Sequence, residues 1–318
     1  MPVTLKLADM PAGELVLGWV GNDAQVKHGL SVRRGMSLGA KEKLYDLSGG
    51  KDLAQLYRSV AEIAQARMTP AGMANPNLVK AYQETQLRIQ RLKPRFLSAV
   101  VEALTESLGG TPNPSEEMLS RLTAQDRDFI ATAYLAARHP QRDYDMLCMG
   151  PASDGCFDER GNPNMLRGKY SLRDTLHVKR PAAGELEAKD GRWLFSAKSQ
   201  AGKEIVAAIP TMADQAAAFA STKYTGTFGA SYVLLERCVL SYGGERLTAE
   251  RYRDDLEEEE TLSVIRAFET PAEFGIDFDT PIKCGACGTD TSDWFDLAPA
   301  FFGTAASTPN GTEPKREP

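Results

Sequence analysis

Two closely spaced cysteines near the C-terminal end constrain this chain more than any other feature. Cys284 and Cys287 are separated by two residues, and a glycine follows each of them. This spacing lets both sulfur atoms reach one metal ion, while the glycines let the backbone turn tightly around it. A structural zinc site normally has four ligands, so the motif predicts half of a site. The other half must come from elsewhere in the chain.

Cys148 and Cys156 are the best candidates for the second pair of ligands. They lie more than 120 residues before Cys284, so a metal shared by all four cysteines would bring the far end of the chain back onto its middle. Binding of that kind can contribute ~10 kcal/mol or more to folding. Four thiolates leave no open coordination position, so such a zinc ion would be structural rather than catalytic.

Other interpretations of the cysteines remain open. The four cysteines could pack together without a metal, or His139 or His177 could replace one of them as a ligand. The fifth cysteine, Cys238, lies in a strongly apolar segment, where a free cysteine is usually a small buried hydrophobic residue. An odd number of cysteines in a chain of this length does not resemble a disulfide framework.

Composition limits the classes of protein that fit. The 318 residues are 42% hydrophobic, enough to bury the core of one large domain or two modest ones. The net charge of −6 shows no basic excess, which disfavours a nucleic-acid partner. The sequence shows no apolar run near the ~20 residues that cross a bilayer and no N-terminal leader pattern. We therefore expect a soluble cytoplasmic protein without a membrane partner.

The chain divides by pattern into two parts and a tail. Residues 1–112 begin with short strands and then become helical, with apolar residues at spacings of three and four. Glycines and prolines at 109–114 predict a hinge. Residues 113–303 predict an antiparallel strand block with flanking helices and a zinc-ribbon-like cysteine knuckle, so the predicted fold class is α+β. Residues 304–318, rich in Pro, Thr, Glu and Lys, predict a disordered tail.

Enzymatic patterns are absent from the sequence. It contains no phosphate-binding Gly-Lys-Ser/Thr loop, no Gly-x-Ser-x-Gly elbow and no His-Glu-x-x-His. Acid–base chemistry would have to use carboxylates. However, Asp126 and Asp128 flank Arg127, an arrangement typical of ion pairing or capping on a helix surface. We predict that the protein is not an enzyme; a hydrolase would need clustered carboxylates with shifted pKa values in a pocket.

A resemblance appears in the order of features between residues 115 and 302. A helix around Asp126-Arg127 runs into Ala137-Arg138-His139-Pro140, and an antiparallel strand block, the segment Ile209 to Asp214 and an acidic helix follow. The series closes on the cysteine knuckle and the paired Phe301-Phe302. This order resembles the T4-like phage baseplate hub assembly and tail assembly proteins. The first cysteine pair departs from a compact knuckle, since seven residues separate Cys148 from Cys156.

The resemblance implies a function that depends on protein surfaces. It implies a structural component or assembly chaperone of the phage tail, with partners among the tail or baseplate hub proteins, the tape-measure protein included. It would be found in the host cytoplasm during assembly or in the tail baseplate of the virion. Aromatic residues near the end of the chain, Trp294 among them, are candidates for core packing or for partner contact. The alternative is a zinc-ribbon protein that binds nucleic acid.

Overall fold

The computed structural model describes most of the chain. The described residues are 2–46, 48–67, 75–148, 150, 156–158, 164–199, 201–221, 229–248, 256–269 and 273–302. The predicted tail at 304–318 lies outside them. Within the described residues, every helix is too short or too polar to cross a bilayer.

The described residues form nine helices and fifteen strands. The helices α1 to α9 are Leu38–Asp46, Gly50–Arg67, Pro76–Leu104, Glu116–Ser120, Ala124–Arg138, Leu172–Thr175, Met212–Ala220, Gly229–Cys238 and Glu258–Glu269. The strands β1 to β8 are Val3–Lys6, Glu14–Val20, Val26–Val32, Thr105–Leu108, Thr111–Pro112, Gln141–Leu147, Met165–Ser171 and His177–Arg180. The strands β9 to β15 are Glu187–Lys189, Arg192–Lys198, Glu204–Ala208, Val239–Tyr242, Gly275–Asp277, Asp279–Lys283 and Asp290–Trp294.

All strand pairs are antiparallel, and they form five small sheets. Two sheets have four strands, in the orders β2-β3-β4-β5 and β12-β11-β10-β9. A third has the order β1-β8-β13, and two hairpins, β6-β7 and β14-β15, stand as separate two-stranded sheets. Helices beside purely antiparallel sheets confirm the predicted α+β class.

Side chains at the helix starts explain why the predicted helices begin where they do. The Thr123 hydroxyl accepts a hydrogen bond from the Asp126 backbone N–H at the start of α5. Thr211 and Asp214 form a reciprocal capping box at the start of α7. Such caps satisfy backbone donors that lack a partner inside the helix. The predicted helices at 123–138 and 211–220 are thereby confirmed.

Three local patterns of the sequence differ from the structure. The composition of residues 172–178 is typical of a short strand. The segment instead splits into the short helix α6 and the strand β8, because the Ser171 side chain accepts a hydrogen bond from the Asp174 N–H and caps a helical turn. The helical pattern that begins at residue 37 extends to about residue 108, but the helix ends at Leu104, after which β4 begins. Pro94 would be expected to kink or split a helix, yet it lies inside α3, which is not split there.

One hydrophobic core extends across both parts predicted from the sequence. Leu17, Leu97, Ile130 and Ile205 are fully buried members of the same cluster. β1 from the N-terminal part also pairs with β8 from the second part. The glycines predicted to form a hinge instead make the turn of the β4-β5 hairpin, where Gly109 and Gly110 both adopt positive φ angles. Residues from both parts therefore share one core.

Candidate metal centre

Two hairpins deliver the four cysteines to one place. Cys148 follows β6 directly, and Cys156 lies in the connection to β7. Cys284 follows β14, and Cys287 precedes β15. Each hairpin therefore contributes a pair of thiols from its turn end, which is the arrangement that a zinc-ribbon-like site requires.

The sulfur atoms are arranged at distances that suit a single metal ion. All four lie within 4.8 Å of one another. The Sγ atoms of Cys148 and Cys287 are 3.5 Å apart, and those of Cys156 and Cys284 are 4.0 Å apart. A tetrahedron with metal–sulfur bonds near 2.3 Å has edges of roughly 3.8 Å, so these separations fit one four-coordinate ion. The cluster could therefore bind a metal ion.

The cysteines form a small buried cluster of their own. Cys148, Cys156 and Cys284 are buried, whereas Cys287 is exposed. Among the described residues, Leu166 is the partly buried hydrophobic residue that packs against this cluster, which is separate from the main core. A metal bound by the four thiolates would add its binding free energy to the stability of this region.

Backbone hydrogen bonds shape the turn that carries the second pair. The Gly288 N–H donates to the Cys284 carbonyl at 2.9 Å, and the Cys284 N–H donates to the Thr289 carbonyl at 3.0 Å. Gly288 adopts a φ of +73°, which L-residues rarely adopt. In contrast, Gly285 is not among the residues with positive φ. Only the glycine after Cys287 is required by the backbone of this turn.

The first pair is held by a different set of contacts. Asn164 joins the two sides of the connection, because its N–H donates to the Cys156 carbonyl and its carbonyl accepts from the Cys148 N–H. The Asn164 side-chain amide also donates to the Cys156 sulfur at 2.9 Å. This hydrogen bond acts to lower the pKa of Cys156, but burial and the neighbouring thiols of Cys287 and Cys284 outweigh it, so the net pKa is raised.

The protonation of the cluster is uneven. Hydrogen bonds from the side chain and backbone of Thr289 lower the pKa of Cys287 to about 6. For Cys148, a backbone hydrogen bond from Gly150 acts in the same direction, but burial and the neighbouring thiols outweigh it and raise the pKa to about 12. Four thiolates at these distances would repel one another, so a cation at their centre is needed to stabilise them together.

A partly buried carboxylate couples the two hairpins away from the metal end. Asp293 on β15 accepts hydrogen bonds from the Arg142 guanidinium at 3.0 Å and from the Tyr170 hydroxyl at 2.8 Å. The Arg142 guanidinium also lies over the ring of Phe295, 4.9 Å from its centroid. These contacts fix the hairpins side by side, and so they orient the two cysteine pairs toward each other.

The segment after β15 attaches the centre to the N-terminal helices. The Asp296 carboxylate accepts a hydrogen bond from the Tyr57 hydroxyl at 2.7 Å and pairs with Lys93 at 2.8 Å. Phe302 packs on Phe96 with ring centroids 4.9 Å apart, and Phe301 stacks on Tyr134. The paired phenylalanines therefore pack onto the body of the protein, whereas Trp294 is 61% exposed.

The other residues singled out from the sequence lie away from the metal centre. The cysteine cluster, as found among the described residues, includes neither His139 nor His177. His139 caps the C-terminal end of α5, and His177 begins β8. Cys238 is fully buried, as predicted, and its sulfur accepts a hydrogen bond from Arg192 at 3.4 Å.

Asp126, predicted to form an ion pair or a cap on a helix surface, does bond with the N-cap residue Thr123, whose hydroxyl donates to its carboxylate at 3.1 Å, but it does not lie on the surface. Its side chain is fully buried and accepts hydrogen bonds from the backbone N–H groups of Leu17 and Gly18 on β2. Asp128, in contrast, is part-exposed and pairs with Arg127 at 2.7 Å. No local pattern distinguishes the two carboxylates, because the burial of Asp126 depends on β2, more than a hundred residues away.

Comparisons of the chain with family models, with curated proteins and with solved structures found no match.

Proposed function

We propose that this protein assists assembly of the tail or baseplate hub of a contractile-tailed phage, acting through protein–protein interfaces on a body held in shape by structural zinc. The gathering of two distant cysteine pairs into one cluster, with all four sulfur atoms within 4.8 Å of one another, is the observation that carries the structural part of the proposal. The phage assignment depends on the order of features between residues 115 and 302.

The chemistry of the ligand set favours zinc as the metal. Thiolates are soft ligands that select zinc, copper(I) or iron, and a closed set of four is typical of structural zinc. No position is left for water or substrate, so the ion would stabilise the hairpins and would not activate a reactant. The ion would thus serve the interfaces indirectly, by fixing the relative positions of β6-β7 and β14-β15.

Elemental analysis of protein purified under reducing conditions tests the metal. We expect one zinc per chain, with the zinc lost in Cys284→Ser and Cys148→Ser. Cys238→Ala is the matched control, because this cysteine is buried but lies outside the cluster; it should retain the zinc. Protein without stoichiometric metal would refute the zinc proposal. Stoichiometric iron would show that the structural metal is iron and not zinc.

The charges on the first hairpin support a protein partner over nucleic acid. On β7, Arg167 pairs with Asp145 and Lys169 pairs with Asp143, each at 3.2 Å. Arg142 is likewise occupied by Asp293. Cations that are already paired with carboxylates form a poor surface for phosphate groups. Salt-dependent retention of the protein on DNA would favour the nucleic-acid alternative.

Recovery of partners from infected or induced cells tests the assembly role. A tagged chain should co-purify with tail or baseplate hub proteins, identified by mass spectrometry. Cys284→Ser, which should lose the metal, is expected to recover less of the same partners, whereas Cys238→Ala should recover them fully. Recovery of no tail protein by the metal-loaded wild-type chain would end the assembly proposal.

A further inference from the structure

The solvent side of the β6-β7 hairpin has an ordered pattern of exposed side chains. Alternate residues on each strand point outward: Asp143, Asp145 and Leu147 on β6, and Met165, Arg167 and Lys169 on β7. We call these six residues the outer ribbon face. The intervening residues are partly or fully buried and include Tyr170 and Met146. The outer ribbon face is therefore the solvent side of a hairpin whose other side is packed.

The pairing register arranges this face in three rows. Asp143 lies opposite Lys169, Asp145 lies opposite Arg167, and Leu147 lies opposite Met165. The side chains of Asp143 and Lys169 are 75% and 68% exposed. Leu147 and Met165 are 38% and 44% exposed, although both are large apolar residues next to the metal end of the hairpin. The face thus has a charged part and an apolar tip.

The two strands differ in the sign of their charge. Both charged outward residues on β6 are acidic, and both on β7 are basic. The face therefore has an acidic column beside a basic column, and within one chain the two columns pair across the strands at 3.2 Å, so a second copy would share these exposed charges rather than meet unpaired ones. Such a surface is complementary to itself under a two-fold rotation about an axis parallel to the strands. That rotation places the acidic column of one copy over the basic column of the other and keeps the apolar tips together.

Other symmetric arrangements are disfavoured by charge. A two-fold axis in the plane of the face but perpendicular to the strands would place acidic column over acidic column. Like charges opposed across an interface cost several kcal/mol, so this arrangement is excluded. The charges therefore select one geometry, in which the metal ends of both copies point in the same direction.

We propose that the outer ribbon face is a self-association surface, and that its occupant is a second copy of this chain packed face to face about a two-fold axis parallel to β6 and β7. Leu147 and Met165 of the two copies would form the apolar contact, and the charged columns would fix the orientation. Two short strands offer a small area, so the dimer is expected to be weak, concentration-dependent and sensitive to salt. This proposal is independent of the phage assignment.

Charge variants provide a test with built-in controls. One variant, Asp143→Lys with Asp145→Arg, makes both columns basic; a second, Arg167→Asp with Lys169→Asp, makes both acidic. Sedimentation velocity over a concentration series should show dimerisation of the wild-type chain and an association constant lower by at least about tenfold in either variant. An equimolar mixture of the two variants should form a heterodimer. The chain with all four substitutions should dimerise again.

The contact itself is tested by crosslinking. A mixture of isotopically light and heavy wild-type chains, treated with a carbodiimide, should give mixed-isotope peptides that join Asp143 to Lys169. Leu147→Ser with Met165→Ser should abolish the dimer. Metal content and circular dichroism must be unchanged in every variant, so that loss of the dimer is not loss of the fold.

Three results would overturn the proposal. The first is a wild-type chain that stays monomeric throughout the concentration series, which would leave the face to a different protein. The second is a dimer that persists at full strength in either charge variant. The third is a mixture of the two variants that fails to associate while the wild-type chain dimerises.

Discussion

At the scale of one residue, the Asp126 carboxylate accepts hydrogen bonds from backbone N–H groups of β2 that a neighbouring strand would otherwise accept. Pairing between β2 and β3 is irregular between Glu14 and Trp19. Within that interval, the Leu17 and Gly18 N–H groups donate to the Asp126 carboxylate at 3.0 and 3.2 Å. Buried N–H groups are costly when unsatisfied, so this carboxylate stabilises the joint between β2 and α5.

We predict that Asp126→Asn lowers the free energy of unfolding by about 1–3 kcal/mol, because the amide group replaces an acceptor oxygen with a donor that faces backbone N–H groups. Asp46→Asn, at an exposed position on α1, is the control and should change it by less than about 0.5 kcal/mol. Urea denaturation of the metal-loaded proteins measures both. Equal effects of the two substitutions would contradict a structural role for Asp126.

The pH dependence of that difference is a separate prediction. Burial raises the pKa of Asp126 above its usual 3.8, although hydrogen bonds from Leu17, Thr123, Val16 and Gly18 oppose the shift. The native state therefore holds the proton longer than the unfolded state, and the contribution of Asp126 to stability falls as the pH rises from 3.8 through the raised pKa. The cost of Asp126→Asn should therefore decrease as the pH rises above 3.8 through the raised pKa. A cost that grows with pH would refute the assigned shift.

The two glycines of the second cysteine turn form a matched pair for testing backbone strain. A methyl group at either position would meet no atom within 4 Å, so the two sites differ in backbone conformation rather than in space. Gly288→Ala should cost about 1–2 kcal/mol and weaken metal binding by about tenfold, since only Gly288 has a positive φ. Gly285→Ala should bind metal like the wild-type chain. Competition with a chromophoric chelator measures the affinities, and equal weakening would rule out strain as the cause.

At the scale of elements, the metal centre depends on how the two hairpins are held together. Each hairpin alone is a two-stranded ribbon, which is marginally stable in water. Asp293, Arg142 and Tyr170 join them through hydrogen bonds. Burial and the contact with Asp293 raise the pKa of Tyr170 to about 12, so its hydroxyl stays protonated and continues to donate. These contacts hold the two hairpins together without involving the cysteines.

We predict that Asp293→Asn weakens metal binding by about tenfold, because it removes about 2 kcal/mol of charge-assisted hydrogen bonding that orients the two cysteine pairs. Asp290→Asn on the same strand is the control, since its exposed side chain lies outside this contact. Both variants keep the four thiols, so chelator competition isolates the effect of hairpin orientation. Unchanged affinity in Asp293→Asn would show that the metal alone aligns the hairpins.

At the scale of the whole molecule, the C-terminal segment closes the fold onto the N-terminal helices. Asp296 bonds to Tyr57 on α2 and Lys93 on α3, and Phe302 packs on Phe96 of α3. The same segment follows directly from the hairpin that carries Cys284 and Cys287. The segment after β15 therefore links the candidate metal centre to α2 and α3.

We predict that Phe301→Ala with Phe302→Ala lowers the free energy of unfolding by about 2–4 kcal/mol, because partly buried aromatic contacts are lost. Hydrogen exchange should become faster in α2, which the segment contacts. Phe157→Ala, at a position that is 56% exposed, should cost less than about 1 kcal/mol. Exchange in α2 that matches the wild-type chain would contradict this role of the C-terminal segment.

Removal of the metal by a chelator should increase amide hydrogen exchange first near the cysteines and then in α2. The amides of β14 and β15 should exchange faster first, because they flank the cysteines, and α2 should follow because it contacts the segment that comes after β15. Mass spectrometry of exchanged peptides before and after chelation measures both. Protection in α2 that is insensitive to chelation would show that the two regions are uncoupled.

The sequence by itself determined the local features of this protein. The apolar periodicity predicted α2 and α3, Thr123 and Thr211 marked helix starts, and the spacing of Cys284 and Cys287 identified half of a candidate metal site. These features depend on residues within a few positions of one another, so the sequence pattern alone predicts them. The candidates for the other half were few, because the chain has only five cysteines.

Only the tertiary structure decided which distant groups meet. It placed the sulfur of Cys148 3.5 Å from that of Cys287, buried Asp126 against β2, and stacked Phe301 on Tyr134. Each contact joins residues more than a hundred positions apart, and each depends on the packing of entire hairpins and helices around one core. Local propensity carries no information about such packing, because the free energy that selects it comes from burial shared among many elements.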